Sequence, residues 1–402
     1  VCCQESRRIA DSSQYNIATT PILEWFNSQP VQDFRAGVLG DQPYDVCTRC
    51  YQEESYGSHS RRHRSNLKSA IFPQAFQVSF DQSPGRRHFK LGVTQTQPID
   101  IHVDLGNHCN LSCKMCNAKA SSKIAQQEVK WGIDSSQRYL SDWTKDDAVW
   151  QRFKQQLIEI PQLNNVHLMG GETLLSKRFE DLVDWFTEHQ RFDVAFSFVT
   201  NGTVYRPDLI QKLSKFRRVG MEISIECVDQ RNAYQRQGTD TDLVLKNIQR
   251  YLTLANGTNI TVTLRPAVSI LTIGSYAGLL DYALEHKLLI KSSLVNTPRF
   301  LDALNLPQTI KQQYKKPYSD LLEKISVEST NVYNSSDTNQ YRLNIANQVQ
   351  VILNLLDSPA PEDNLIQLEN MVAHCRRWDD VFGYDARQIY PEFANIWDKY
   401  GY

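Results

Sequence analysis

Three cysteines fall in one short stretch, Cys109-Asn-Leu-Ser-Cys113-Lys-Met-Cys116, and no other feature of the 402-residue chain constrains it as tightly. Thiolates separated by three and then two residues can each take a different iron of one 4Fe-4S cube, leaving the fourth iron open to a substrate or cofactor. The preceding segment, Ile99 to His108, alternates apolar and polar residues as a strand does. The cysteines are therefore expected on a loop leaving a strand. Half of a zinc site would use the same kind of spacing, so zinc stands as the alternative at this point.

From Pro98 onward the chain alternates strand and helix patterns. After that first strand come Asn165–Met169, Val194–Thr200, Met221–Glu226, Asn259–Leu264 and Leu288–Val295 as strand candidates. Between them Phe179, Leu182, Val183 and Phe186 recur at helical spacing, and Asp146–Ile160 and Leu209–Phe216 also read as helices. Such an order predicts an α/β fold with a parallel sheet, helices outside and an open lateral side. Gly170, Gly171 and Glu172 follow the second strand at once. Glycines there let the backbone approach a ligand closely, and Glu172 offers the carboxylate that an ammonium group needs.

The cysteine loop followed by GGE resembles the radical S-adenosylmethionine (SAM) superfamily. The resemblance implies a partial (β/α)6 barrel whose Cys109, Cys113 and Cys116 hold a 4Fe-4S cluster, with SAM chelating the open iron. It further implies that Gly170, Gly171 and Glu172 hold the SAM amino group. Ser224 and Glu226 stand where the family places a serine and an acidic residue near the ribose and methionine part, with Glu where Asp is commoner. Arg236 resembles the clamp on the SAM carboxylate, a task suited to a planar guanidinium, and Arg265 is a second candidate. A surface arginine at a helix start is the plainer reading of Arg236. Asn201, at the end of the third strand, either reaches the cofactor or only makes a turn. Cys227 reads as a packed small hydrophobe rather than a catalytic thiol, and Cys375 as a thiol outside any cluster.

Cys2, Cys3, Cys47 and Cys50 lie before the barrel, with helices expected over Pro21–Phe26 and Val31–Val38. The CTRC spacing, with YQEESYGSHSRRHRSN directly after it, resembles a twitch, or half-SPASM, segment moved to the N-terminal side. That implies an auxiliary iron-sulfur cluster on these four; a four-cysteine zinc site or unligated thiols are the alternatives. Which of Cys2 and Cys3 ligates stays open, and since the first residue is Val the natural chain is expected to extend upstream. The expected organisation is residues 1–97 as the auxiliary-cluster segment, 98–307 as the barrel, and 308–402 as a helical region capping its mouth. Within the last, Leu321–Ile325, Leu343–Leu356 and a helix through Met371 read as helical. Asn296–Pro307 resembles the stretch that closes the barrel.

Composition excludes several functions. A net charge of -1 argues against a general polyanion-binding role, and the run Arg61-Arg62-His63-Arg64 without interleaved aromatics is a weak nucleic-acid signal. No run of 18 apolar residues is present, so no membrane span is expected. Nine cysteines could form disulfides, but the CxxC and CxxxCxxC spacings among them read as metal ligation in a reducing compartment, the cytoplasm. The resemblance implies an electron donor such as flavodoxin or ferredoxin, reductive cleavage of SAM to a 5'-deoxyadenosyl radical, and hydrogen abstraction from a substrate. A peptide or protein side chain is the favoured substrate. A small molecule or nucleotide, or a non-catalytic iron-sulfur electron carrier, are the alternatives.

Overall fold

Six parallel strands stand side by side in chain order: β1 (Asp100–Asp104), β2 (Asn165–Met169), β3 (Ala195–Thr200), β4 (Val219–Ile223), β5 (Ile260–Leu264) and β6 (Leu289–Ile290). They belong to a computed structural model that describes residues 14–39, 47–55, 57, 60, 97–133, 142–330 and 338–402. Alternation along each strand gives the sheet two unlike faces. Val103, Val166, Leu168, Phe196, Phe198, Met221 and Leu264 are buried and meet the outer helices. There α6 (Lys177–Glu188) sets Phe179 against Phe198 at 5.0 Å and Phe186 against Phe196 at 5.2 Å between ring centroids. On the other face His102 lies opposite His167, His167 opposite Ser197, and Glu222 opposite Thr263. Parallel sheets covered on both faces are apolar throughout, so this polar face is the one that the expected partial barrel would turn inward as its lumen.

The remaining helices follow the sequence pattern. N-terminal α1 (Ile22–Phe26), α2 (Gln29–Leu39) and α3 (Thr48–Ser55) precede the sheet; α4 (Ser122–Lys130) and α5 (Asp147–Ile158) connect β1 to β2. After β3 come α7 (Pro207–Leu213), α8 (Gln230–Gln235), α9 (Thr241–Ala255) and α10 (Ile273–Glu285). The N-terminal part leans on the barrel, since the Ile22 N–H donates to Gln156 on α5 at 2.7 Å and the Asn296 amide donates to Gln52 on α3 at 3.0 Å. Cys47 and Cys50 are buried at the start of α3, whereas Cys2, Cys3 and the Arg61–Arg64 run lie outside the described residues.

Two expectations change. The sixth strand, read as Leu288–Val295, is two pieces: β6 pairs with β5, and Ser293–Leu294 pairs with Ala267–Val268. Pro266 explains the break, because it has no N–H to give the ladder between Leu264 and Ala267. The fourth strand stops at Ile223, leaving Ser224 and Glu226 on the loop beyond it.

Three long helices, α11 (Gln308–Thr330), α12 (Thr338–Asp357) and α13 (Asn364–Phe382), complete the molecule, the first far longer than Leu321–Ile325. On α12 the Asn344 amide accepts from the Ile290 N–H at 2.8 Å and donates to the Ile290 carbonyl at 3.0 Å, satisfying the free edge of β6. Asn296–Pro307 forms two short 3₁₀ turns that bury Leu301 and Leu306. Among the described residues no helix is long and apolar enough to cross a membrane.

Candidate functional site

The cysteine loop leaves β1 and is pinned from a distance. Ser112 and Cys113 form a two-residue antiparallel ladder with Gln237 and Arg236, and the Lys114 N–H donates to the Gln235 carbonyl at 2.9 Å. On its other side Ser121 caps α4 and donates its hydroxyl to the Leu111 carbonyl at 2.7 Å. Cys109 and Cys113 gather around buried Leu111, with Met115 and half-buried Cys116 against them. Burial pushes all three thiols up, Cys116 to about 11. Thiols in such surroundings ionise when a cation joins them, which is what iron would do. Among the described residues no three His, Cys, Asp or Glu side chains converge on a position for one ion. A cube asks for something else, three sulfurs each on its own iron, and the donor set fits it.

The GGE turn faces that loop. Gly170 has φ 97° and Gly171 φ 50°; a Cβ on the first would sit 2.0 Å from Asp104 Oδ1, and on the second 2.1 Å from the His108 carbonyl oxygen. The Glu172 N–H donates to that same carbonyl at 2.8 Å. So the close approach expected toward a ligand is made toward the chain's own cysteine loop. The Glu172 carboxylate is likewise engaged, accepting from the Leu174 N–H at 3.0 Å, the Thr200 hydroxyl at 2.6 Å and the Asn201 N–H at 2.6 Å. Burial raises its pKa, while these donors pull it back. A carboxylate offers about four lone-pair positions, so roughly one remains.

Asn201 makes the turn and also ties the β3 end to the cysteine loop. Its Oδ1 accepts from the Thr203 N–H at 3.0 Å, and its Nδ2 donates to Asn110 Oδ1 at 2.9 Å. Ser224 is buried, its N–H donating to the Thr200 carbonyl at 2.8 Å.

Glu226 and Arg236, each read as a contact to SAM, are a buried pair with one another. Arg236 gives Nε and Nη2 to Glu226, the latter at 2.7 Å, and turns Nη1 to Cys113 Sγ at 3.7 Å. Glu226 also accepts the Ala267 N–H at 3.1 Å. Burial works against the guanidinium charge, but Glu226 and then Cys113 outweigh it and raise the Arg236 pKa. A surface arginine is thereby ruled out. Arg265 differs: it contacts Glu222 through Nη1, and Lys291 contacts the other Glu222 oxygen at 2.7 Å. Burial pushes Glu222 up, yet Arg265 and Lys291 hold it at about 2.

Cys227 is fully buried beside the Thr272 carbonyl, the packed position expected of it. Cys375 is equally buried on α13. Sequence reasoning missed Thr200, Glu222 and Lys291. Period-two alternation put Glu222 on the lumen face, and that was the available signal.

Comparison with known proteins bears on the same segment. Residues 103–266 match the family model described as the radical SAM superfamily. The radical SAM cyclopropyl synthase TigE of Paramaledivibacter caminithermalis is 23% identical over 227 residues, covering 53% of this chain and 46% of that protein. This chain thus spans about half the length of that curated relative. Among solved structures, Streptococcus suis SuiB bound to S-adenosylmethionine is similar at 14% identity and TM-score 0.40, over 65% of this chain and 53% of that one. The anSMEcpe structure with bound AdoMet is similar at 16% identity and TM-score 0.42, over 58% and 62%. The cysteine loop and the GGE turn both lie inside the span, residues 103–266, that is similar to the radical SAM superfamily model.

Proposed function

We propose that this protein is a radical SAM enzyme that abstracts hydrogen from a peptide or protein side chain. Cys109, Cys113 and Cys116 would hold the 4Fe-4S cluster, and Gly170, Gly171, Glu172, Asn201, Ser224 and Arg265 would line the SAM side of it. When bound, cluster and SAM together supply reductive cleavage to methionine and a 5'-deoxyadenosyl radical. The chain's own part is placement: the ladder between Cys113 and Arg236 orients the thiolates, the remaining lone pair of Glu172 takes an ammonium N–H, and the lumen receives the substrate. The observation that carries this reading is the gathering of three thiols beyond the C-terminal end of β1, with the GGE turn of β2 packed against their loop. Catalytic groups of parallel barrels come from those strand ends.

The peptide preference rests on the N-terminal cysteines. Buried Cys47 and Cys50 would join Cys2 and Cys3 around an auxiliary cluster, in a segment of residues 1–97 distinct from the barrel of 98–307 and the helical region of 308–402. A flavodoxin or ferredoxin in a reducing cytoplasm would deliver the electron.

The test is anaerobic. The reconstituted protein is assayed for iron and sulfide, reduced with dithionite, given SAM, and analysed for 5'-deoxyadenosine by mass spectrometry. Deoxyadenosine with about eight irons per chain supports both clusters; about four irons leaves the N-terminal cysteines another role. Iron without deoxyadenosine under any reductant returns the electron-carrier reading. Deuterium carried from a labelled candidate peptide into deoxyadenosine would identify the substrate class; transfer from a nucleotide or small metabolite instead would overturn the peptide preference.

A further inference from the structure

Lys114 lies between two of the cluster cysteines, and its surroundings are unusual for a lysine. The side chain is 2% exposed and its Nζ has no hydrogen-bond partner among the described residues. It faces rings instead: Tyr234 at 3.8 Å, Trp378 at 5.0 Å and Tyr384 at 6.0 Å from the centroids. Tyr234 sits on α8, two residues before Arg236; Trp378 and Tyr384 come from α13 and the turn after it. Nearby Asp379 accepts at Oδ2 from the Ala386 N–H at 2.7 Å and from the Tyr402 hydroxyl, and makes no ion pair with Lys114 among the described residues.

An ammonium withdrawn from water without an acceptor is costly, and ring faces recover only part, about 2 kcal/mol when desolvated. A lysine stem is long enough to reach water from most positions, so an enclosed one is held by its box. The result is an ammonium beside Cys113 and Cys116 with no hydrogen-bond or ion-pair partner among the described residues. A cube on three thiolates is anionic and gains another negative charge when reduced, and net local charge is one of the quantities that set its potential.

We propose that Lys114 is the fixed cation that raises the reduction potential of the cluster, and that the C-terminal helical region acts on the chemistry through the aromatic box holding it. This rests on the iron-sulfur reading above. Lys114 touches no substrate in this account; it is a positioning charge.

The test compares wild type, Lys114→Met and Lys114→Arg, each reconstituted anaerobically and titrated at neutral pH with the reduced-cluster EPR signal as readout. Absence of iron and of that signal from wild type defeats the cluster reading itself, separately from this inference. With the cluster present, Lys114→Met makes reduction at least tenfold less favourable, a downward shift of about 59 mV for one electron, and Lys114→Arg restores most of it. Equal potentials for wild type and Lys114→Met at equal iron content overturn the proposal. If Lys114→Met holds no iron, Trp378→Leu takes its place: it keeps the lysine but opens its ammonium to water, and lowers the potential by less. An unchanged potential in Trp378→Leu then overturns the proposal.

Discussion

Arg236 and Arg265 were interchangeable in the sequence as candidates for one anionic partner, and the fold gives them opposite situations. Arg236 is enclosed, its fork filled by Glu226 and its third nitrogen turned to Cys113. Arg265 is half-buried in the lumen, contacts Glu222 through one nitrogen, and shares that carboxylate with Lys291. A guanidinium has five N–H donors in a fixed fork, so the first arginine has spent its bidentate face on the protein while the second keeps donors for a ligand. Two cations on one carboxylate also leave net positive charge at Arg265. The lesson is that a carboxylate clamp is recognised by what remains unpaired after folding.

The comparison can be broken most sharply at the cysteine. Cys113→Ala removes the thiolate that Arg236 faces; deoxyadenosine formation and the open-iron cluster should be lost completely, and retained SAM cleavage under mass spectrometry would contradict the assignment. Next comes the enclosed pair itself. Glu226→Gln leaves the Arg236 charge buried without its partner and should cost about 3–5 kcal/mol in urea denaturation, whereas the double replacement of Glu226 and Arg236 by leucine should cost less than that single change. If the single change is harmless, the pair is not the buried lock described here.

Glu222 gives a smaller effect with a pH signature. Its folded pKa near 2 lies below the ordinary 4.5, so the stabilisation, about 3 kcal/mol, is fully present above that ordinary value and is lost as pH falls toward 2. Glu222→Gln should therefore be destabilised at neutral pH, and its deficit against wild type should shrink between about pH 4.5 and 2 in denaturation curves. A deficit constant with pH would mean that burial shape, not charge, carries the interaction. Smaller in stability is Arg265→Met, which removes one of the two cations on Glu222 and is expected to lose only part of that stabilisation because Lys291 remains, while raising the KM for SAM about tenfold, some 1.4 kcal/mol of binding. An unchanged KM would remove Arg265 from the SAM side of the site.

Much of the scaffold was legible because its signals are local. Phe179, Leu182, Val183 and Phe186 announced α6, and alternation announced β2 through β5 to within a few residues. The boundary of the sixth strand was not, since its break depends on Pro266, between the two segments the strand pairs with. The glycines of GGE were read as places of close approach, and that His108 and Asp104 are among what approaches them was hidden, because those residues reach the turn only once β1 and β2 lie in register.

Residue order alone put forward the candidate donor set: three thiols at a spacing that suits a cube, on a loop leaving a strand, ahead of a glycine turn. Those depend on backbone geometry over a few residues, where chain connectivity leaves little freedom. The tertiary structure decided every pairing that gives those residues a role. Cys113 meets Arg236 across 123 positions, Glu172 meets Thr200 across 28 and Glu222 meets Arg265 across 43. The enclosure of Lys114 needs a helix more than 250 positions away in the chain. Charges and hydrogen bonds act through space and burial, and neither exists until distant segments are packed together.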